Sequence, residues 1–184
     1  MTHSTGVHVR AATTADLDSI APMGAALVRF HHELDPERFL IVDGVDKGYR
    51  RFLEMELKNP SAVILAAQAD GLDGIVGYAY GRVEGRDWTT LRDEHGALHD
   101  VYVDERARRR GVAEALIEVM ISELKKRGVA SVVLMSAWNN TSAQRVFERM
   151  GFRRTMVEMT CEIERDTMVE PAPSTTPDPS SSGR

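Results

Sequence analysis

The run Arg108-Arg109-Arg110-Gly111-Val112-Ala113 has the residue types and spacing to hold a phosphorylated group. It follows a short apolar stretch, residues 98–103, and opens an amphipathic one, residues 112–127. A strand that enters a glycine-bearing turn and feeds a helix leaves backbone N–H groups without intrahelical partners, and the helix dipole adds partial positive charge there. Glycine lets the main chain approach a phosphate because no Cβ intervenes. Arginines add charge-assisted hydrogen bonds. The Gly-Lys-Ser/Thr of a Walker loop and the Gly-x-Gly-x-x-Gly of a dinucleotide loop are both missing. Taken alone, the six residues also suit an ordinary basic helix start on the surface.

A proton acceptor stands on the same apolar stretch. His99 is of the type that titrates near neutral pH (about 6.5 when free), which suits proton abstraction. Its neighbour Asp100 is a second candidate base, and Glu84 and Glu94 flank the polar segment 84–96 as further ones. Strict strand alternation places His99, Val101 and Val103 on one face and Asp100 on the other. A hydrogen-bonded structural histidine and a capping aspartate are the competing roles. The adjacent pair His31-His32 lacks a third ligand at suitable spacing, so no metal is expected. The single cysteine, Cys161, excludes an internal disulfide and fits a strand position better than a nucleophile.

Downstream lies a second motif, Asn140-Thr141-Ser142-Ala143-Gln144-Arg145-Val146-Phe147-Glu148-Arg149-Met150-Gly151-Phe152. Ala143, Val146, Phe147 and Met150 fall on one helical face, and Gly151 sits where a left-handed residue ends a helix. The two motifs together resemble the GNAT superfamily of acetyl-coenzyme A-dependent N-acetyltransferases. Arg108, Gly111 and Ala113 fill the Arg/Gln-x-x-Gly-x-Gly/Ala signature, and the later motif matches in Asn140, Ala143 and the closing Gly151-Phe152. The resemblance covers about residues 75–161.

That resemblance implies an α/β fold with a central mixed, mostly antiparallel sheet of about seven strands, splayed after the fourth and flanked by about four helices. It implies acetyl-CoA as co-substrate, held by the backbone of Val101, Tyr102 and Val103, by the turn Arg108, Arg109, Arg110, Gly111, Val112 and Ala113, and by Asn140 and Phe147. It implies transfer of the acetyl group to a primary amine by direct attack in a ternary complex, with His99, Asp100 or Glu84 as the catalytic groups and no metal. The chain departs from the pattern at Phe147, where relatives carry a tyrosine that protonates the leaving thiolate. Either the thiolate leaves unprotonated, or water, Ser136 or Tyr102 substitutes, or the fold survives as a catalytically weak acyl-CoA binding module.

The elements that must position these residues read as follows. A strand at residues 7–10 precedes a helix with a capping-box-like start at Thr13 and Asp16, which Pro22 should kink or split. Residues 31–39 read as a loop, and Val45, Tyr49, Phe52, Leu53 and Leu57 mark a second helix. Strands are expected at residues 62–67 and 75–83, around a turn with two aspartates and two glycines. A strand at 98–103, a helix at 112–127, a strand at 131–136, a helix at 142–150 and a strand at 152–163 complete the pattern.

At 184 residues and 42% apolar content, the chain can bury a sizeable core. A net charge of −5 argues against a nucleic-acid partner despite the arginines at 106–110. No run of about 18 apolar residues and no signal-peptide pattern is present, so the expectation is a cytoplasmic protein without a membrane partner. The expected domain is residues 1–165, with a Pro/Ser-rich tail at 166–184. Acids at Glu33, Asp35, Glu37, Glu84, Asp87, Asp93 and Glu94 suit a cationic small-molecule or peptide amine, and equally suit plain soluble loops. The resemblance leaves monomer and homodimer both open.

Overall fold

The computed structural model describes residues 6–163. The chain divides into two units, residues 1–153 and 154–184. The first carries every helix and strand described. These are β1 (Val7–Ala11), α1 (Leu17–Leu34), α2 (Val45–Glu56), β2 (Ala62–Ala69), β3 (Gly77–Glu84), β4 (His95–Val103), α3 (Val112–Lys126), β5 (Val132–Leu134) and α4 (Thr141–Arg149). The strands form one sheet in the order β1-β2-β3-β4-β5. Neighbours are antiparallel except β4 and β5, which run parallel over three residue pairs, Gly96 to Leu98 with Val132 to Leu134.

Helices grip both faces of the sheet. On one face, Leu116, Ile117, Met120 and Leu124 of α3 close over Leu65, Val76, Ala79 and Leu98. On the other, Leu17 and Ile20 of α1 and Leu53 of α2 pack with Ile64, Tyr78 and Tyr80. Each fully buried aliphatic side chain contributes about 1.5–3 kcal/mol, so the middle strands β3 and β4 are anchored from both sides. That anchoring gives the site a rigid floor.

The expected α/β architecture is present, with five strands among the described residues in place of about seven. The segment 152–163, read as a final strand, contains no strand. Extended backbone becomes a strand only when a neighbour completes its ladder, and none of the described ladders includes these residues. Cys161 therefore lies outside regular structure. The proposed tail at 166–184 lies outside the described residues.

Several boundaries also differ by a few residues, most at α1 and β4. α1 runs unbroken through Pro22 to Leu34, so His31 and His32 are helical. Leu17, Ile20, Ala21, Gly24 and Ala25 bury one continuous stripe on both sides of the proline, and that packing outweighs the one backbone bond Pro22 forgoes. β4 begins at His95, three residues before its expected start, because Gly96 and Ala97 pair with both β3 and β5.

β1 is tied to the start of α1 by a buried carboxylate. Asp16 accepts two hydrogen bonds from the Arg10 guanidinium, both at 2.7 Å, and further ones from Thr13 N at 2.8 Å and Thr13 Oγ1 at 3.0 Å. The Arg10 hydrogen bonds, opposed by burial and helped by Thr13, hold the Asp16 carboxyl well below its ordinary 3.8. A lowered folded-state pKa means a contribution that is complete above the unfolded value and lost as pH falls below it. Asp16→Asn should therefore cost about 1–2 kcal/mol at pH 7, with the half-exposed Arg10 keeping the figure modest. Denaturant titrations at pH 7 and pH 3 check this, because the gap between variant and parent should shrink at the lower pH.

Candidate functional site

The site begins with an irregularity in β4. Tyr80 pairs with Asp100 but Gly81 pairs with Leu98, so His99 is an extra residue on the β4 side. Backbone hydrogen bonds report the consequence. Gly96 N donates to Ser131 O, toward β5, at 2.9 Å, whereas Asp104 N donates to Val76 O, toward β3, at 2.8 Å. Regular alternation would aim both even-numbered amides the same way. The bulge shifts the phase, so the amides of Val101 and Val103 point to the β5 side. There β5 has already parted from β4, since pairing ends at Leu98 and Leu134. The result is a strand edge whose Val101 and Val103 amides face away from β3, beyond the end of the β4–β5 pairing among the described residues.

The bulge also overturns the expected distribution of side chains. The His99 ring stacks on Tyr80 at 5.2 Å and 22°. Asp100 Oδ2 accepts hydrogen bonds from the Tyr49 hydroxyl and, at 3.0 Å, from the Tyr78 hydroxyl. Tyr78 and Tyr80 share the face covered by α1 and α2. His99 and Asp100 therefore lie on one face together, while Val101 and Val103 pack toward α3.

Around His99 the polar groups are interlinked. Its Nε2 lies 3.2 Å from Glu84 Oε1, and His95 Nε2 lies 3.7 Å from Glu84 Oε2. Arg82 donates to the same Glu84 Oε1 through Nε at 3.2 Å and an Nη at 3.1 Å. His95 is buried, with Nδ1 2.8 Å from the Asp93 carbonyl. Thus His99, Asp100 and Glu84, picked out from sequence, are brought together. Glu94 has no part in these contacts. Burial raises the Asp100 carboxyl above the ordinary range, and the Tyr49 and Tyr78 hydroxyls partly oppose that rise. Burial first, and the Asp100 charge second, push the Tyr49 hydroxyl far upward.

Tyr49, Tyr78, His95 and Arg82 were not singled out from sequence. A signal existed, because Tyr78, Tyr80, Arg82 and Glu84 recur at period two and so share a strand face. Tyr49 is placed by a close approach of two helices. A Cβ on Gly24 of α1 would sit 2.1 Å from the Tyr49 ring, so glycine is what lets this tyrosine reach Asp100.

Beyond β4 the chain enters the arginine turn. Arg109 and Gly111 adopt left-handed backbone, with φ of 61° and 80°. Such alternation folds successive N–H groups into an anion-binding concavity that continues into the first amides of α3. The space a Cβ would occupy at Gly111 is open. Arg108 pairs with Glu105 at 3.0 Å, and Arg110 donates to the Asp70 carbonyl at 2.8 Å. Arg109 has no such partner among the described residues. Val112 is buried against the core, so only its backbone and that of Ala113 face the turn.

The later motif serves local structure first. Asn140 caps α4, its Oδ1 accepting from Ala143 N at 3.2 Å and Ser142 Oγ at 3.1 Å. Phe147 packs on the α3-side core and against Phe152, 6.0 Å away. Ser136 Oγ, just past β5, is buried with no hydrogen-bond partner among the described residues. Several acids expected at the acceptor site are engaged locally. Asp87 accepts from Thr89 and Thr90, which draw it down to about 2, and Asp93 pairs with Arg86. His31 stacks on Phe39, and His32 Nδ1 lies 2.7 Å from the Phe39 carbonyl. Among the described residues, no cluster could hold a metal ion and no helix is long and apolar enough to cross a membrane.

The model of the acetyltransferase (GNAT) family matches residues 27–152, more than half of the chain. Human (Homo sapiens) N-acetyltransferase 8 is 31% identical over 75 residues, covering 41% of this chain and 33% of the human protein. The ribosomal protein bS18-alanine N-acetyltransferase of Escherichia coli is 34% identical over 64 residues, covering 35% of this chain and 43% of that protein. The chain thus spans less than half the length of either relative. A tetramutant of the BH1408 protein from Bacillus halodurans superimposes with a TM-score of 0.72 at 18% identity, covering 85% of this chain and 99% of that one. At that identity the likeness establishes the fold.

Tyr49→Phe should push the Asp100 carboxyl still higher, because it removes a hydroxyl that favours the ionised form. A carbon-13 NMR titration of the Asp100 carboxyl reads this directly. An unchanged midpoint would show that Tyr49 does not stabilise the carboxylate.

Proposed function

The chain belongs to the acetyltransferase (GNAT) family, and from that premise we propose that it moves an acetyl group from acetyl-CoA to a primary amine by direct attack in a ternary complex. The observation that carries this reading is the bulge at His99. It turns two backbone amides to the open strand edge and two ionisable side chains to the sheet face that α1 and α2 cover.

The residues present fit the co-substrate. The left-handed pair Arg109 and Gly111, the open space at the Gly111 Cβ position and the first amides of α3 suit a pyrophosphate. Arg108 to Ala113 would hold that end, with the uncommitted Arg109 available to a further phosphate. The main chain from Val101 through Tyr102 to Val103 would align the pantetheine arm as an added strand. Asn140 shapes the start of α4, and Phe147 on that helix would wall the thiol end. When bound, acetyl-CoA supplies the acyl carbonyl carbon and a thiolate leaving group.

His99 is the proposed proton acceptor. Glu84 Oε1 faces its Nε2, which favours the tautomer protonated there and leaves Nδ1 with the basic lone pair. Glu84 is then a positioning residue, held in turn by Arg82. Asp100, largely buried and bound by two tyrosine hydroxyls, sets a carboxyl group beside the incoming amine. Phe147 carries no hydroxyl, and a thiolate is a competent leaving group without full protonation. That residue also favours the second reading, an acyl-CoA binding module with weak catalysis.

Two variants test the proposal. Gly111→Val forces a β-branched side chain into left-handed backbone, at a cost of about 1–2 kcal/mol, and blocks close approach of a phosphate. It should weaken acetyl-CoA binding at least tenfold in calorimetry while circular dichroism stays native; undiminished affinity would remove the turn from the site. His99→Ala should lower kcat by about 10²–10⁴ with little change in KM for acetyl-CoA. Full activity in that variant across the neutral pH range would pass the base role to another group.

A further inference from the structure

On the face shared by α1 and α2, the residues Tyr49, Phe52, Tyr80, Arg82, His99 and Asp100 line an open cleft of about 210 Å³. Its walls are aromatic. Phe52 meets Tyr49 edge-on at 5.6 Å and 66°, and Tyr80 at 5.3 Å and 89°. Tyr80 in turn stacks on the His99 ring. The anion among them is Asp100, whose Oδ2 takes both tyrosine hydroxyls. Its Oδ1 has no hydrogen bond among the described residues. Arg82 would oppose a cation, but two of its donors are committed to Glu84 Oε1. The Tyr80 hydroxyl is committed to Glu56 at 2.7 Å.

Aromatic rings attract a cation and pack on methylenes. A carboxylate oxygen without a partner is satisfied by an ammonium. Hydroxyls of a sugar-like amine would find few partners along these ring walls, and burying them unpaired is unfavourable. We propose that this cleft takes the acceptor as a primary alkylammonium on an unbranched apolar stem, the nitrogen at Asp100 Oδ1 and the methylenes along Phe52 and Tyr80. The inference rests on the acetyltransferase reading for the fate of the amine, whereas recognition of the cation does not require it. The arrangement sets the nitrogen beside His99, which takes one proton from the ammonium to become imidazolium and leaves the neutral amine with its lone pair free.

The test uses the whole protein without co-substrate and three probes: n-pentylamine, its neutral counterpart n-pentanol, and kanamycin. NMR titration should show n-pentylamine binding at least tenfold tighter than either of the others, with the largest shifts at the rings of Phe52 and Tyr80. Asp100→Asn, close to isosteric, should bring n-pentylamine to the level of n-pentanol. Phe52→Leu keeps the apolar bulk but removes a ring, and should weaken the amine more than the alcohol; this variant decides the matter if Asp100→Asn fails to fold. Equal binding of amine and alcohol, shifts that map elsewhere, or undiminished amine affinity in a folded variant would overturn the proposal. A parallel acetyl-CoA titration separates the two readings. Loss of acetyl-CoA binding with the amine preference intact contradicts only the transfer reaction, and acetyl-CoA binding without the amine preference contradicts only this assignment.

Discussion

One inserted residue organises this molecule. His99 interrupts the ladder between β3 and β4, and a bulge of this kind changes which way both the amides and the side chains of the following residues face. Before it, the Gly96 amide serves the β5 side; after it, the Asp104 amide serves β3, and the Val101 and Val103 amides face the gap where β5 has departed. The same slip carries His99 and Asp100 to one side of the sheet. Without it, the even-numbered amides would face the open edge in place of Val101 and Val103, and His99 and Asp100 would lie on opposite faces.

The rest of the fold holds that irregularity in place. α3 packs under Leu98 on one face and begins at the arginine turn, so the anion-binding concavity is rigidly joined to the strand that precedes it. α1 and α2 cover the other face and deliver Tyr49 and Phe52, with Gly24 providing the close approach Tyr49 needs. Two tyrosine hydroxyls bond the Oδ2 of the largely buried Asp100 and offset part of its desolvation, which would be severe for a carboxylate with no partner. Polar satisfaction and position are therefore the same requirement at this site.

Much of this was legible in the sequence, for identifiable reasons. The arginine turn and the α4 motif are local, and glycine position, helix periodicity and capping residues specify such features directly. The strand that carries His99 was recognised because apolar residues flank it. The bulge was not, since a period-two pattern carries no mark of an extra residue when the neighbours are Leu98, His99, Asp100 and Val101. Tyr49 and Tyr78 were missed because their role arises from contacts 51 and 22 residues away along the chain. The continuous α1 was obscured by Pro22, whose local cost the buried helix stripe overrides. The loop acids do not share the role of Asp100 in the cleft, because side chains such as Asp87 and Asp93 are engaged by neighbouring threonines and an arginine, which composition alone does not reveal.

Residue-resolved amide hydrogen exchange, recorded with and without acetyl-CoA, tests the central claim most directly. The rephased edge predicts new protection at the amides of Val101 and Val103 and through the turn from Arg109 to Ala113, with Tyr102 and Asp104, which face β3, unchanged. Binding that leaves Val101 and Val103 unprotected, or that protects a different segment, would contradict the account.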